Sequence, residues 1–519
     1  MALLITQGSG TLELVPSLIA TERVGFRASI VFALLLCLLF WRLWKFTLLP
    51  SLYPSHPKEF PSWLPCHAVV FFRDSNKLLA DARAYFDNSQ DPFALTVLGR
   101  KFYVITHAKQ SAEVYKNTET LSFEDFVQTL MKSNGNSDDV ITTMYSALST
   151  EKTGFPTPQG ESLGVLAQKM HIYQLYPGDN LIFLQKRAIQ KSCLYGSQVG
   201  SSMELPLYQW CSDYFVKLGQ NIYFGDILRS IDPELPDVFL ELDERIWKML
   251  YSYPNYLSHD MSNPRARVVE TLKKYFEVPK SQRRDQAAWL INAMEDEIGA
   301  LGINSDNLAV LVFHLYFAIN TNTRKTAFWL LTYLLHNPTL LKVYREEAKP
   351  AFDGSALVDP FYSQDAEKCP QINAIWHETL RLSGWSASLR LIKQDTVIGG
   401  KVLEKGNRVL VPHRLLHFDS QIFGADTHEF HHERWLQQAD LGRSPSWRPF
   451  GGGKTMCSGR FLARFTVTSF VATLLRRFDI EMVGNPPLPR ADEGRPVLGI
   501  MSIKDGEDFK VRLSPKSTF

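Results

Sequence analysis

Cysteine is scarce in this 519-residue chain. The six cysteines, at 37, 66, 193, 211, 369 and 457, include no Cys-x-x-Cys pair. That scatter excludes a thioredoxin-type dithiol and a cysteine-built zinc site, and it offers no disulfide framework; it predicts a reducing, cytosol-facing body. Charge imbalance is also missing. Lys and Arg number 56 against 54 Asp and Glu, a net charge of +2, which gives no electrostatic case for nucleic acid. The chain has no internal repeat and no Asn-x-Ser/Thr sequon with a permitted middle residue. What it does have is ordinary globular composition, 45% apolar and 21% charged, ample for a sizeable core. The length suits two to four domains or one large unit.

One long uncharged run lies near the start. Ala28 to Trp41 is fourteen residues without a charge. Extended from Val24 to Leu48, with snorkelling arginines and with Trp41 and Trp44 at an interface, it approaches the roughly 20 residues that a membrane span requires. A cleaved signal peptide would need a small-residue cleavage site, where this chain has Trp-Arg-Leu-Trp-Lys. The expectation is an uncleaved single-pass anchor, with Arg42 and Lys45 keeping the body on the cytoplasmic side. Prolines 50, 54, 57, 61 and 65 then predict a stiff extended linker. The expected organisation is a tail over 1–23, an anchor over 24–48, a linker over 49–66 and a catalytic body over 67–519.

Within that body, 77–86 reads as a helix. The runs 93–98 and 101–106 read as a hairpin joined at Gly99-Arg100. Residues 107–300 are mostly helical in composition. Residues 307–336 form the longest helical candidate, roughly 45 Å at 1.5 Å per residue, with a hydrophilic notch over Ala318 to Arg324. An unsatisfied buried polar group costs about 1–3 kcal/mol, so a notch there predicts a use; the alternative is a kink bonded to its own backbone. Glu378 and Arg381 share a helical face at i, i+3, and Arg434 follows in Phe430-His431-His432-Glu433-Arg434. The two histidines read as surface residues. Lys504-Asp505-Gly506 reads as a hairpin turn.

The most informative stretch is Phe450-Gly451-Gly452-Gly453-Lys454-Thr455-Met456-Cys457-Ser458-Gly459-Arg460. It leads into the helical pattern Phe461 to Leu475, so Cys457 stands just before a helix N-terminus, where backbone N–H groups favour a thiolate. The glycines leave space for a flat cofactor against the backbone. A phosphate loop is excluded, because the first glycine of Gly-x-x-x-x-Gly-Lys-Thr is missing.

The spacing Phe-x-x-Gly-x-x-x-Cys-x-Gly resembles the haem-binding loop of the cytochrome P450 family, in which a cysteine thiolate holds the iron. With the Glu-x-x-Arg helix and the Phe-x-x-x-Arg segment, the resemblance covers roughly residues 60–515. It implies a mainly α fold with a small β lobe behind the anchor, haem b with Cys457 as axial ligand, and a binding loop that includes Phe450 and Gly451. Glu378, Arg381 and Arg434 would form a structural network.

Two departures stand out. The family's small residue, Gly, any residue, acid and Thr become Ile319, Asn320, Thr321, Asn322 and Thr323, so Thr323 and Asn322 are the candidate proton-delivery residues. This Asn-Thr pair, with Thr326 to Trp329 after it, resembles the branch of sterol 7- and 12-hydroxylases and prostacyclin synthase. Thr455 stands where an arginine commonly meets a haem propionate, so that role is assigned to Arg390 and Arg448.

The resemblance implies a monooxygenase at the endoplasmic reticulum membrane. It would use O2 and electrons from an NADPH-cytochrome P450 reductase to oxidise a lipophilic, terpenoid- or steroid-like molecule in secondary metabolism. The alternatives are a haem-thiolate isomerase or dehydratase acting on a peroxide without NADPH, and a non-catalytic haem-binding protein.

Overall fold

The computed structural model describes the chain except for residues 1–13, 65, 149–159, 197–200, 252, 495, 497–498 and 517–519; most of the expected N-terminal tail therefore lies outside the described residues. It is mainly helical with small sheets. The first helix, Leu14–Leu43, continues through a wide turn at Trp44–Leu48 and a last turn at Leu49–Leu52. Ala28–Leu52 is long and apolar enough to cross a membrane, with mean hydropathy 1.8 and none of that window buried against the body. The helix thus ends four residues beyond the expected Leu48.

Its end is fastened to the following segment. Lys45 Nζ lies 2.8 Å from Glu59, and the Arg42 guanidinium stacks 3.9 Å from the Trp63 ring. Lys58–Glu59 pairs in parallel with Phe93–Ala94. The first four residues of the expected extended linker, Leu49–Leu52, are thus helical, and Lys58–Glu59 docks the rest onto the main sheet.

That sheet has six strands, in the order Lys58–Glu59, Phe93–Val97, Arg100–Val104, Arg408–Pro412, Ala387–Ile392, Leu121–Ser122. In the hairpin Val97 pairs with Arg100. The turn is accordingly Leu98-Gly99, one residue earlier than expected, and both residues have positive φ, 48° and 76°, as a two-residue turn of the tight hairpin type requires. A second sheet pairs Phe478–Met482 with Lys510–Pro515 and the latter with Met203–Pro206. The turn at 505–506 leads into this sheet and is not the tip of a separate hairpin.

Apolar side chains of the helices Leu207–Phe224, His259–Glu277, Ser305–Thr321, Thr323–Leu335, Pro370–Ser383 and Arg460–Arg477 meet in one large core. The expected single helix over 307–336 is two helices that meet at Asn322. Asn304 caps the first by accepting the Asn307 N–H at 3.0 Å, and Asn337-Pro338 ends the second and starts the next, as proline at a first helical position favours.

Candidate functional site

The cysteine loop hangs between strand Ala387–Ile392, helix Ala108–Lys116 and helix Arg460–Arg477. The Cys457 N–H donates to the Phe450 carbonyl at 3.0 Å, and Gly451 N–H to the Arg448 carbonyl at 3.1 Å, which closes the loop on itself. The Arg460 guanidinium donates to the Cys457 carbonyl at 2.8 Å and lies over the Tyr176 and Phe461 rings at 4.6 and 4.3 Å. Gln168, on helix Leu163–Leu175, donates its amide to the Lys454 carbonyl.

The glycines have a different immediate reason from the one expected. A Cβ on Gly453 would come 2.8 Å from the Tyr115 carbonyl, and one on Gly452 would come 3.1 Å from the Tyr115 ring. Gly453 also sits at φ +60°. Glycine is needed there so that the loop can press on Tyr115. Gly451, at φ +76°, leaves open space, its Cβ position meeting only the Thr455 carbonyl at 3.8 Å.

Burial pushes the Cys457 thiol above its ordinary range, against the lowering effect of the Gly459 and Arg460 N–H groups and the Arg460 charge. The helix N-terminus therefore does not by itself give a thiolate. Here desolvation outweighs the lowering contributions. Cys457 is nonetheless exposed, as is Ala318 between the buried Tyr316 and Asn320 of the central helix.

Arg390 is 5% exposed. Its Nη1 donates to the Leu389 carbonyl at 2.8 Å, and its Nη2 donates to the Thr455 hydroxyl. The residue standing where an arginine was expected is thus held by an arginine from the sheet. Arg448 Nε donates to the Pro445 carbonyl at 2.9 Å. The two guanidiniums flank the Tyr115 ring at 5.6 and 5.4 Å, and burial holds both below their usual values. Among the described residues neither is paired with a carboxylate. The Tyr115 hydroxyl meets Ser388 Oγ at 2.7 Å and His413 Nε2 at 2.8 Å, and the Arg448 N–H donates to His417 Nε2 at 2.9 Å. Two partly desolvated cations without anionic partners, beside an exposed thiol, fit a flat group that carries carboxylates and a metal. A haem matches this donor set.

Glu378, Arg381 and Arg434 come together in the core. Arg381 grips Glu378 with Nε at 2.9 Å and Nη2 at 2.7 Å. Arg434 Nε lies 3.2 Å from the same carboxylate, and Trp435 Nε1 donates to it at 2.8 Å. Arg381 also donates to the His417 and Thr427 carbonyls at 3.1 and 2.7 Å, which ties this network to the segment that precedes the cysteine loop. His431 is on the surface against Asp426, at 2.6 Å. His432, expected on the surface too, is 9% exposed and meets Gln371 at 2.9 Å.

The polar notch has a use, and most of it is structural. Asn320 Nδ2 bonds back to the Tyr316 carbonyl at 2.8 Å. Asn322 Oδ1 accepts the Ile500 N–H at 2.9 Å, so this side chain fastens the C-terminal loop. Thr321 and Arg324 both donate to Asp243, and Lys325 Nζ stands 2.6 Å from it. Burial alone would raise the Asp243 carboxyl, but Lys325, Arg324 and the Thr321 hydroxyl hold it down at about 2. Thr323, half-buried, opens the second helix as its first residue. Nothing in the sequence pointed to Asp243 or Tyr115, since one of three acids at the end of an amphipathic helix (Glu241, Asp243, Glu244) and a lone tyrosine carry no pattern.

Among known proteins, the family model described as cytochrome P450 matches residues 197–510. The cytochrome P450 monooxygenase poxD of Penicillium oxalicum is 25% identical over 468 residues, 85% of this chain and 90% of that protein. Cytochrome P450 7A1 of Sus scrofa is 24% identical, covering 73% of this chain and 76% of its own length. A human 7-alpha-hydroxycholest-4-en-3-one 12-alpha-hydroxylase is 27% identical over 48% of this chain and 54% of its own.

Proposed function

The chain belongs to the cytochrome P450 family, and from that premise we propose that it is a membrane-anchored haem-thiolate monooxygenase acting on a neutral, lipophilic, terpenoid- or steroid-like molecule. Cys457 would hold the iron, Arg390 and Arg448 would pair with the propionates, and Phe450 and Gly451 would line the cofactor's site. Ala318 and the break at Asn322–Thr323 would supply the residues of the substrate side. The helix Ala28–Leu52 anchors the protein in the endoplasmic reticulum membrane with the body in the cytoplasm. Electrons come from an NADPH-dependent reductase, and the product enters secondary metabolism, as suits the resemblance to a fungal monooxygenase.

The observation that carries this reading is the exposed Cys457 thiol in a loop flanked by the buried Arg390 and the half-buried Arg448, neither of which is paired with a carboxylate among the described residues. When bound, the haem supplies O2 activation and oxygen-atom transfer. The chain's own residues do the rest. The Gly459 and Arg460 N–H groups and the Arg460 charge stabilise a sulfur anion. Arg390, fixed by Thr455, orients one edge of the ring. Thr323 offers a hydroxyl for proton transfer through water.

One observation favours the second reading, isomerisation or dehydration of a peroxide. The carboxylate bonded at the helix break, Asp243, is held at about 2 by two cations and donates no proton near neutral pH, and Asn322 is occupied by Ile500. An isomerase needs no such relay. The test has two stages. A carbon-monoxide difference spectrum of the reduced protein should show a red-shifted Soret band that Cys457→Ala loses; its absence from well-folded, haem-loaded protein refutes the ligand assignment. NADPH consumption with reductase and a lipophile supports the monooxygenase, and turnover of a hydroperoxide without NADPH replaces it with the second reading.

A further inference from the structure

Residues 499–501 run between the helix break and the end of the Glu378/Arg381 helix. The Trp385 N–H donates to the Gly499 carbonyl and the Met501 N–H to the Ser383 carbonyl, each at 2.9 Å, around an antiparallel bridge between Gly384 and Ile500. Strand Ala387–Ile392, which holds Arg390, starts two residues after Trp385. In such a pairing the residue between the two bonds turns its own N–H away from the partner segment. The Ile500 N–H accordingly points to the helix break, where Asn322 Oδ1 accepts it at 2.9 Å. Trp329 Nε1, on helix Thr323–Leu335, donates to the Met501 carbonyl at 2.9 Å.

Gly499 records the same contact from the other side. A Cβ there would overlap Asn322 Oδ1 and stand 2.7 Å from its Cγ. The Gly499 backbone is outside the left-handed region, so the close approach of Asn322 is what calls for glycine. Ile500 is 6% exposed and Met501 4%. Without Asn322 a buried N–H would lose its acceptor, at a cost of about 1–3 kcal/mol. The position asks for an acceptor and not for an acid, and an amide oxygen accepts as a carboxylate oxygen does.

We propose that Asn322 is a positioning residue: it clasps residues 499–501 to the helix break and so fixes how wide a molecule the substrate side admits. The proposal deepens the haem-thiolate reading above and rests on it for placing the break at Asn322–Thr323 on the substrate side. The clasp joins that break, where Thr323 offers its hydroxyl, to the segment that leads into Arg390, whose guanidinium reaches Thr455 of the cysteine loop. Residues 499–501 therefore cross between two elements that border the cofactor's site, and Asn322 sets the distance between them.

The test uses the ferric full-length holoenzyme, with imidazole and 4-phenylimidazole as probes that both ligate the iron but differ in width. A carbon-monoxide difference spectrum of the parent and of each variant comes first. Asn322→Ala frees the segment and Gly499→Ala pushes it off Asn322. Each should shift the ratio of the two dissociation constants about three- to tenfold in favour of 4-phenylimidazole, the scale of one neutral hydrogen bond, with imidazole affinity kept. Asn322→Asp retains the acceptor and should hold the ratio within about twofold of the parent. The double variant Asn322→Ala/Gly499→Ala should shift it no further than either single change, since both remove the same contact. Hydrogen exchange should find the Ile500 amide protected in the parent and in Asn322→Asp, and faster in Asn322→Ala. If Gly499→Ala does not fold, Asn322→Ala and Asn322→Asp decide. A merely structural bond would weaken both azoles together; that result, a ratio unchanged in Asn322→Ala, or an unprotected Ile500 amide in the parent overturns the proposal while the haem-thiolate reading stands. Absence of the thiolate-type Soret band from the haem-loaded parent overturns that reading, and the proposal with it.

Discussion

Replacing Asp243 by Asn tests the largest energetic claim drawn from the helix break. The carboxylate is 7% exposed and is met by Lys325 Nζ at 2.6 Å and by the Arg324 guanidinium, which also donates to Ser212 Oγ at 2.7 Å. Asn has nearly the shape of a protonated Asp, so the depressed pKa gives the sign of the loss. A fall from 3.8 to about 2, at 1.36 kcal/mol per unit, is roughly 2–3 kcal/mol. Removing one partner of a buried ion cluster also leaves the other charges unpaired, which typically costs about 3–5 kcal/mol. Roughly 450 ordered residues at ~2.1 cal/mol/K each give an unfolding entropy near 0.9 kcal/mol/K, so the thermal midpoint should drop by about 3–5 °C. The sign with pH follows from the depressed value: this contribution is present above 3.8 and lost as pH falls through about 2. The assay is thermal unfolding of detergent-solubilised holoenzyme at one scan rate, with Asp243→Leu/Arg324→Met/Lys325→Met as the comparison that removes all three charges. A single-variant midpoint within about 1 °C of the parent refutes the reasoning, because it would mean the two cations do not depend on Asp243.

Other outcomes follow from the same geometry. Arg390→Ala removes the bond to Thr455 and one propionate partner; haem titration of the apoprotein should show affinity about ten- to a hundredfold lower, the scale of a hydrogen bond to a charged group. Glu378→Gln strands Arg381, which is fully buried, and Arg434, which is 5% exposed, and the soluble holoenzyme yield should collapse, since about 3–5 kcal/mol is a large share of typical stability. Gly453→Ala places a Cβ 2.8 Å from the Tyr115 carbonyl at a positive φ, and haem retention on heating should fall, with no rescue by Tyr115→Phe because the clash is with backbone. Burial lowers the His413 pKa to about 3 and that of His417 well below its ordinary value. The unfolded chain binds protons there first, so stability should fall as pH drops below about 6.5, by about 1.4 kcal/mol per unit for each histidine, and His413→Gln should flatten the acid limb of a midpoint-versus-pH curve.

The cysteine loop, the long apolar first helix, the Glu378/Arg381 helix and the outline of the fold were legible in the chain, because each rests on local spacing. A cysteine before an apolar helix, a long uncharged run and two residues at i, i+3 carry their geometry with them. Interpretation failed where the answer depended on a partner distant in sequence. The polar notch marked a break in the central helix, but only Asp243, some 80 positions away, shows that Arg324 and Lys325 serve packing, and only Ile500 shows what engages Asn322. Gly452 and Gly453 read as space for a cofactor until Tyr115 was seen against them, while Gly451 alone leaves that space open. The helix N-terminus argued for a thiolate until desolvation of the Cys457 sulfur by the surrounding residues reversed the balance. The sequence determined which elements form and which chemistry the loop can hold. Tertiary structure decided which polar groups remain free to act, because burial and charge pairing are set by residues that meet only when the chain is folded.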